Sequence, residues 1–132
     1  MLIVDTSAAL AAITAGRAMP RLVERLDRES ELGAPHLIDT EVLHALRRMR
    51  LGEQITEERA ADTRSDFADL RLIRFPHEPL GDRVWELRHN LSAYDATFVA
   101  LAEALSAPLL TCDARLAAAN GHAAQIELFA VC

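Results

Sequence analysis

Short apolar runs alternate with longer segments of helical periodicity along the chain, and that alternation sets the expected architecture. Leu2-Ile3-Val4 is wholly apolar, ends at Asp5-Thr6-Ser7 and leads into the helix-forming stretch Ala8 to Ala15, with Gly16 as its stop. A second helix is expected from about Pro20 to Glu29, with Leu22, Val23 and Leu26 on one face, followed by a short extended piece from Leu32 to Pro35. From Ile38, the positions Val42, Leu46 and Met49 recur at helical spacing until Gly52. Thr56 then caps a polar helix to about Leu70, and Leu72 to Phe75 forms a strand before Pro76. Pro79 opens a helix with Leu80, Val84 and Leu87 inward and Trp85 packed.

Ser92 caps the next helix, whose buried stripe is Phe98, Val99, Ala102 and Leu105 and whose end is Ser106-Ala107-Pro108. Leu109 to Cys112 is a strand, Asp113 leads into a short alanine-rich helix ending near Asn120-Gly121, and Ile126 to Val131 is a last strand. Strands alternating with helices predict an α/β fold, a three-layer α/β/α sandwich around a mainly parallel central sheet.

Composition narrows the picture without changing it. A chain of 132 residues, 51% hydrophobic with five glycines and five prolines, is expected to form one domain spanning residues 1–132. No apolar run is long enough to cross a bilayer, and the N-terminus lacks the basic flank of a signal peptide, so a cytoplasmic protein with no membrane partner is expected. Cys112 and Cys132 are too few and too unlike in context for a disulfide framework. The net charge of −6 excludes gripping nucleic acid by bulk positive potential, and all 14 basic residues are arginines.

The candidate chemistry lies in four acids at the edges of apolar segments: Asp5, Glu41, Asp95 and Asp113. Asp5 and Asp113 are the first charged groups beyond two strands, where open parallel sheets bind ligands, while Glu41 and Asp95 sit near helix starts. Asp95 precedes Val99 by one turn and Ala102 by two, so it points along a core-facing stripe. Four carboxylates about 5 Å apart would repel by roughly 3 kcal/mol per pair at an effective dielectric near 20. A divalent cation removes that penalty, and oxygen ligands without histidine or cysteine favour Mg²⁺ or Mn²⁺. The chemistry this suggests is phosphodiester hydrolysis by a metal-activated water, with Thr6, Ser7 and Thr111 as supporting polar groups. Arg48, two helical turns beyond Glu41, is placed to reach a passing phosphate.

Blander readings account for each acid singly. Asp5 and Asp113 can cap helices, Ser92 and Asp95 have capping-box spacing, and an acid in the first turn of a helix, as at Glu41, is favoured by the dipole. Capping gives no reason for Asp95 to face the core. The five histidines lack ligand spacing and read as solvated or core-edge groups, and the aromatics are too few for a base-stacking platform. Two rivals remain: a non-catalytic α/β interaction module, and a phosphoaspartate-forming phosphoryl-transfer domain. The latter is disfavoured because the chain has no lysine and no second aspartate follows Asp5.

The residues also resemble a known family. Met1 to Ala8, Pro35 to Leu46 with Thr40-Glu41-Val42, Leu91 to Ala102 with Tyr94-Asp95-Ala96, and Ala107 to Leu116 with Thr111-Cys112-Asp113 are similar to PIN-domain ribonucleases. Among these the likeness is to VapC-type toxins of toxin-antitoxin modules, and it spans nearly the whole chain. Position by position, it implies an acidic metal site at Asp5, Glu41, Asp95 and Asp113, supported by Thr6 or Ser7 and Thr111. It further implies an RNA substrate, Mg²⁺ or Mn²⁺ as cofactor, a homodimer, and a VapB-type antitoxin lying in a groove near the helices between Ala8 and Leu51.

Overall fold

A computed structural model describes residues 1–130, so the expected end of the last strand at Val131, and Cys132, lie outside the described residues. Five strands form one sheet: β1 (Leu2–Val4), β2 (Leu32–Pro35), β3 (Leu72–Phe75), β4 (Leu109–Thr111) and β5 (Ile126–Leu128). Their order is β3-β2-β1-β4-β5, and every neighbouring pair is parallel. The chain builds outward from β1 through β2 to β3, then crosses back to place β4 on the other flank of β1. That reversal opens a crevice beyond the carboxyl ends of β1 and β4, where such sheets bind ligands.

Among the described residues seven helices cover the sheet: α1 (Thr6–Ala15), α2 (Pro20–Asp27), α3 (Leu37–Leu51), α4 (Glu57–Asp69), α5 (Gly81–Glu86), α6 (Ala93–Leu105) and α7 (Ala114–Ala118). The first four pack on one another through α1, whereas α5 packs on α6 and α6 on β1, β2 and β4. The result is the three-layer α/β/α sandwich with a parallel centre. None of the helices among the described residues is long and apolar enough to cross a membrane.

Burial on both faces explains the strand sequences. Leu2, Ile3, Val4, Leu109 and Leu110 are all essentially inaccessible, as near-continuous apolar strands of a parallel sheet must be. Gly33 in β2 lies between Ile3 and Phe75, and a Cβ there would sit 3.1 Å from both side chains and from Met1 Sδ, so the close approach favours glycine. Asp5, Thr56, Ser92 and Asp113 each accept a backbone N–H at a helix start. Helix α3 lacks such a local cap; His77 Nε2, brought in from beyond β3, accepts from the Leu37 N–H at 2.8 Å.

Several expectations need correction. Gly16 keeps a right-handed helical conformation and continues into a 3₁₀ turn, Gly16–Ala18, instead of stopping the chain. The helix expected from Pro79 is split into a 3₁₀ turn, Glu78–Leu80, and the short α5. Trp85 is 67% exposed and Leu105 is 41% exposed, so neither packs in the core. The Arg88 guanidinium lies over the indole at 4.5 Å and shields a ring that its short helix leaves outside. Cys112 falls just after β4 and is half-buried. Four of the five histidines are exposed, and His122 is partly buried.

Energetics divide along the same lines. Leu110→Ala should destabilise the fold by about 2–5 kcal/mol, whereas Arg50→Ala, which removes an exposed pair with Glu57, should cost under about 1 kcal/mol; urea unfolding midpoints compare the two directly.

Candidate active site

The four acids reach one place by four routes. Asp5 leaves the central strand β1 and caps α1; Asp113 follows β4, the strand beside β1, and caps α7. Glu41 lies in the second turn of α3, and Asp95 lies in the first turn of α6. All four line a single cleft of about 310 Å³, together with His44 and Arg48. A larger cleft, about 780 Å³, lies beside α2 and the chain after β5, but among the described residues its lining holds one carboxylate, Glu24, so the chemistry favours the smaller one.

A network of short hydrogen bonds fixes the floor of the cleft. Asp5 is buried, and its Oδ1 accepts from the Ala8 N–H at 2.9 Å and from Ser7 Oγ at 2.7 Å. Its Oδ2 accepts from Thr111 Oγ1 at 2.5 Å. Thr111 Oγ1 in turn accepts from the Asp113 N–H, and Ser7 Oγ accepts from the Cys112 N–H, so β1, α1 and the turn after β4 are tied together through one carboxylate. Thr6 Oγ1 donates to Glu41 Oε1 at 2.7 Å, which links α1 to α3. At α6, Ser92 Oγ accepts from the Asp95 N–H, while among the described residues no bond runs from the Ser92 N–H to the Asp95 carboxylate. Half a capping box is present, and the acid that would complete it faces the cleft instead.

Electrostatically the cleft is under tension. Burial pushes the Asp5 carboxyl above its ordinary value, against the lowering effect of its three donors, and the charge of Asp95 raises it further. Glu41 is raised by burial first and then by Asp95 and Asp5, and Asp95 by burial and then by Asp113. Positive neighbours counter this in part: His44 lowers Glu41, Arg115 lowers Asp95, and Asp113 alone of the four makes an ion pair among the described residues, with Arg115 Nη2 at 3.6 Å.

The acids share the cleft but do not point at one centre. Among the described residues, no group of three or more His, Cys, Asp or Glu side chains is gathered so as to hold a metal ion. The reason lies in the donors: Asp5 turns to Ser7, Ala8 and Thr111, Glu41 to Thr6, and Asp113 to the Arg115 N–H at 2.9 Å, while mutual repulsion favours spreading. The donor set itself, carboxylate and hydroxyl oxygens alone, suits a hard divalent cation.

Sequence reasoning missed two participants. His44, one turn beyond Glu41, lines the cleft and lowers the proton affinity of that carboxylate; its spacing from Glu41 was visible, but an exposed histidine alone gave no signal. Arg115, two residues past Asp113, was hidden among 14 arginines.

Comparison with known proteins gives the family and the fold. The PIN domain family model matches residues 2–121. Ribonuclease VapC1 of Mycobacterium tuberculosis is 46% identical over 127 residues, covering 96% of each chain. Among solved structures, Mycobacterium tuberculosis VapC20, described as a sarcin-ricin loop cleaving toxin, superposes with a TM-score of 0.66 at 19% identity, over 89% of this chain and 94% of that one. VapBC2 from Rickettsia felis, bound to a DNA fragment from its promoter, superposes with a TM-score of 0.68 at 15% identity, over 96% of both. The match of sequence along nearly the full length, together with the shared fold, means that this chain belongs to the PIN-domain family, among its VapC-type ribonucleases.

Proposed function

We propose that this protein is a metal-dependent endoribonuclease, the toxin of a toxin-antitoxin module, with Asp5, Glu41, Asp95 and Asp113 as its catalytic carboxylates. The observation that carries this reading is the crowding of four acids into one cleft at the crevice of a parallel sheet, three of them with raised proton affinity. The ribonuclease names of relatives covering nearly the whole chain support the reaction class. Mg²⁺ or Mn²⁺ is the fitting ion, and Asp5, Glu41, Asp95 and Asp113 are the residues that would hold it. Bound there, it supplies an activated water and neutralises charge building on the phosphate.

The chain's own residues do the positioning. Thr111 and Ser7 hold the Asp5 carboxylate through its two oxygens, and Thr6 holds Glu41, so both acids are kept in the cleft with fixed side-chain orientation. Arg48, in the same cleft and without an ion-pair partner among the described residues, meets an RNA phosphate. A VapB-type antitoxin is the proposed partner, with the exposed Leu43 and Leu51 on α3 as apolar contacts for an amphipathic segment. The protein acts as a homodimer in the cytoplasm.

RNA cleavage assays against a panel of structured RNAs test the core claim. Asp5→Asn and Asp95→Asn should each reduce cleavage to background with the fold retained, and EDTA should do the same to the parent protein. Undiminished cleavage by both variants would refute it. Thr111→Val should lower activity or metal affinity by about 10–100-fold, as the loss of a ligand-orienting hydroxyl does.

Stability should depend on pH in a way set by the raised carboxyls. A group with a higher pKa in the folded state carries no penalty below its unfolded value, near 4, and destabilises the fold as pH rises through the folded value. In EDTA, Asp95→Asn should therefore melt above the parent at about pH 7.5, with the gap closing toward about pH 4. Added MgCl₂ should raise the melting temperature of the parent more than that of the variant. Equal melting of the two proteins at every pH would show that the repulsion is negligible.

A further inference from the structure

Two arginines stand at opposite ends of the carboxylate row. Strands β2, β1 and β4 are consecutive in the sheet, so the helices that follow them set Glu41, Asp5 and Asp113 in that order from α3 to α7. Arg48 shares α3 with Glu41 at one end, two turns along. Arg115 on α7 marks the other end, beyond Asp113, and its side chain is 89% exposed.

The hold on Arg115 is loose. Arg25, Arg74 and Arg83 are each locked to a carboxylate by two hydrogen bonds, of 2.7 and 3.0 Å, 2.6 and 2.8 Å, and 2.8 and 2.9 Å respectively. Among the described residues the Arg115 guanidinium has one ion-pair contact, 3.6 Å to Asp113 and too long for a hydrogen bond, and an ion pair so exposed contributes little to folding. Its guanidinium thus keeps its donors available beside the acids, in the fork geometry that suits a phosphate.

Building on the ribonuclease reading, we propose that Arg115 binds an RNA phosphate on the side of the cleft opposite Arg48, so that the strand crosses the carboxylates with a positive contact before and after the scissile bond. This arrangement answers a problem posed by the net charge of −6: a polyanion is drawn to an acidic cleft only if cations line its rim. It also gives the strand a fixed line across the site, since two phosphate contacts set register where one leaves it free to pivot.

Salt dependence of binding is the test, because each phosphate contact to a single strand adds about 0.7 to the slope of log affinity against log salt. A fluorescent hairpin RNA is titrated with the full chain carrying Asp95→Asn, so that the probe is not consumed, between about 50 and 200 mM NaCl in MgCl₂. Arg115→Gln should weaken binding and lower the slope by about 0.7, Arg48→Gln should do likewise, and Arg115→Lys should keep the slope. An unchanged slope for Arg115→Gln, in a protein whose circular dichroism matches the parent, would overturn the proposal and leave Arg115 as a partner of Asp113 alone. Failure of the unmutated chain to cleave any RNA would instead overturn the ribonuclease reading on which it rests.

Discussion

Burial of the Asp5 carboxylate at the end of the central strand is the constraint on which this structure turns. A charge so enclosed must be met by donors, and it takes three: a backbone N–H at the start of α1, the Ser7 hydroxyl, and the Thr111 hydroxyl from the neighbouring strand. Those donors also serve the chain around them, because Ser7 and Thr111 accept the N–H groups of Cys112 and Asp113. One acid thereby aligns the ends of β1 and β4 and the two helices that follow. The donors do not fully repay the lost hydration, since burial still raises the proton affinity of Asp5.

The remaining acids add to that tension. Glu41 and Asp95 are half-buried, raised first by desolvation and then by their acidic neighbours, and His44 and Arg115 offset those charges only in part, with no ion pair to either acid among the described residues. Elsewhere three arginines neutralise acids: Arg25 meets Glu29 and Glu127, Arg74 meets Asp39, and Arg83 meets Glu86 and Glu103, and these contacts hold Glu29, Glu127, Asp39 and Glu103 below their ordinary values. The contrast within one molecule separates the groups that hold the fold together from those kept charged and only partly compensated, which is the signature of a functional site.

Local pattern carried most of the architecture. The strands Leu2–Val4, Leu32–Pro35 and Leu72–Phe75 and the caps at Thr56 and Ser92 follow from short-range chemistry, which acts the same way wherever the segment lies. Errors fell where a segment's fate depends on what covers it. Trp85 and Leu105 have apolar side chains at inward-looking positions, yet no neighbouring element reaches them, and Gly16 keeps a helical conformation that glycine permits but does not require. The cap that His77 gives α3 comes from 40 residues away and left no local trace.

The sequence by itself determined which residues carry charge at the edges of apolar segments, and hence that Asp5, Glu41, Asp95 and Asp113 demand a common explanation. Only the tertiary structure decided that they share a cleft, that hydroxyl and amide donors turn several of them away from a common centre, and that Arg48 lines the cleft while Arg115 pairs with Asp113. The physical reason is range. Periodicity and capping are settled within a few residues, whereas repulsion between carboxylates and the hydrogen bonds that oppose it act between groups up to 106 positions apart, whose distances exist only once the sheet has assembled.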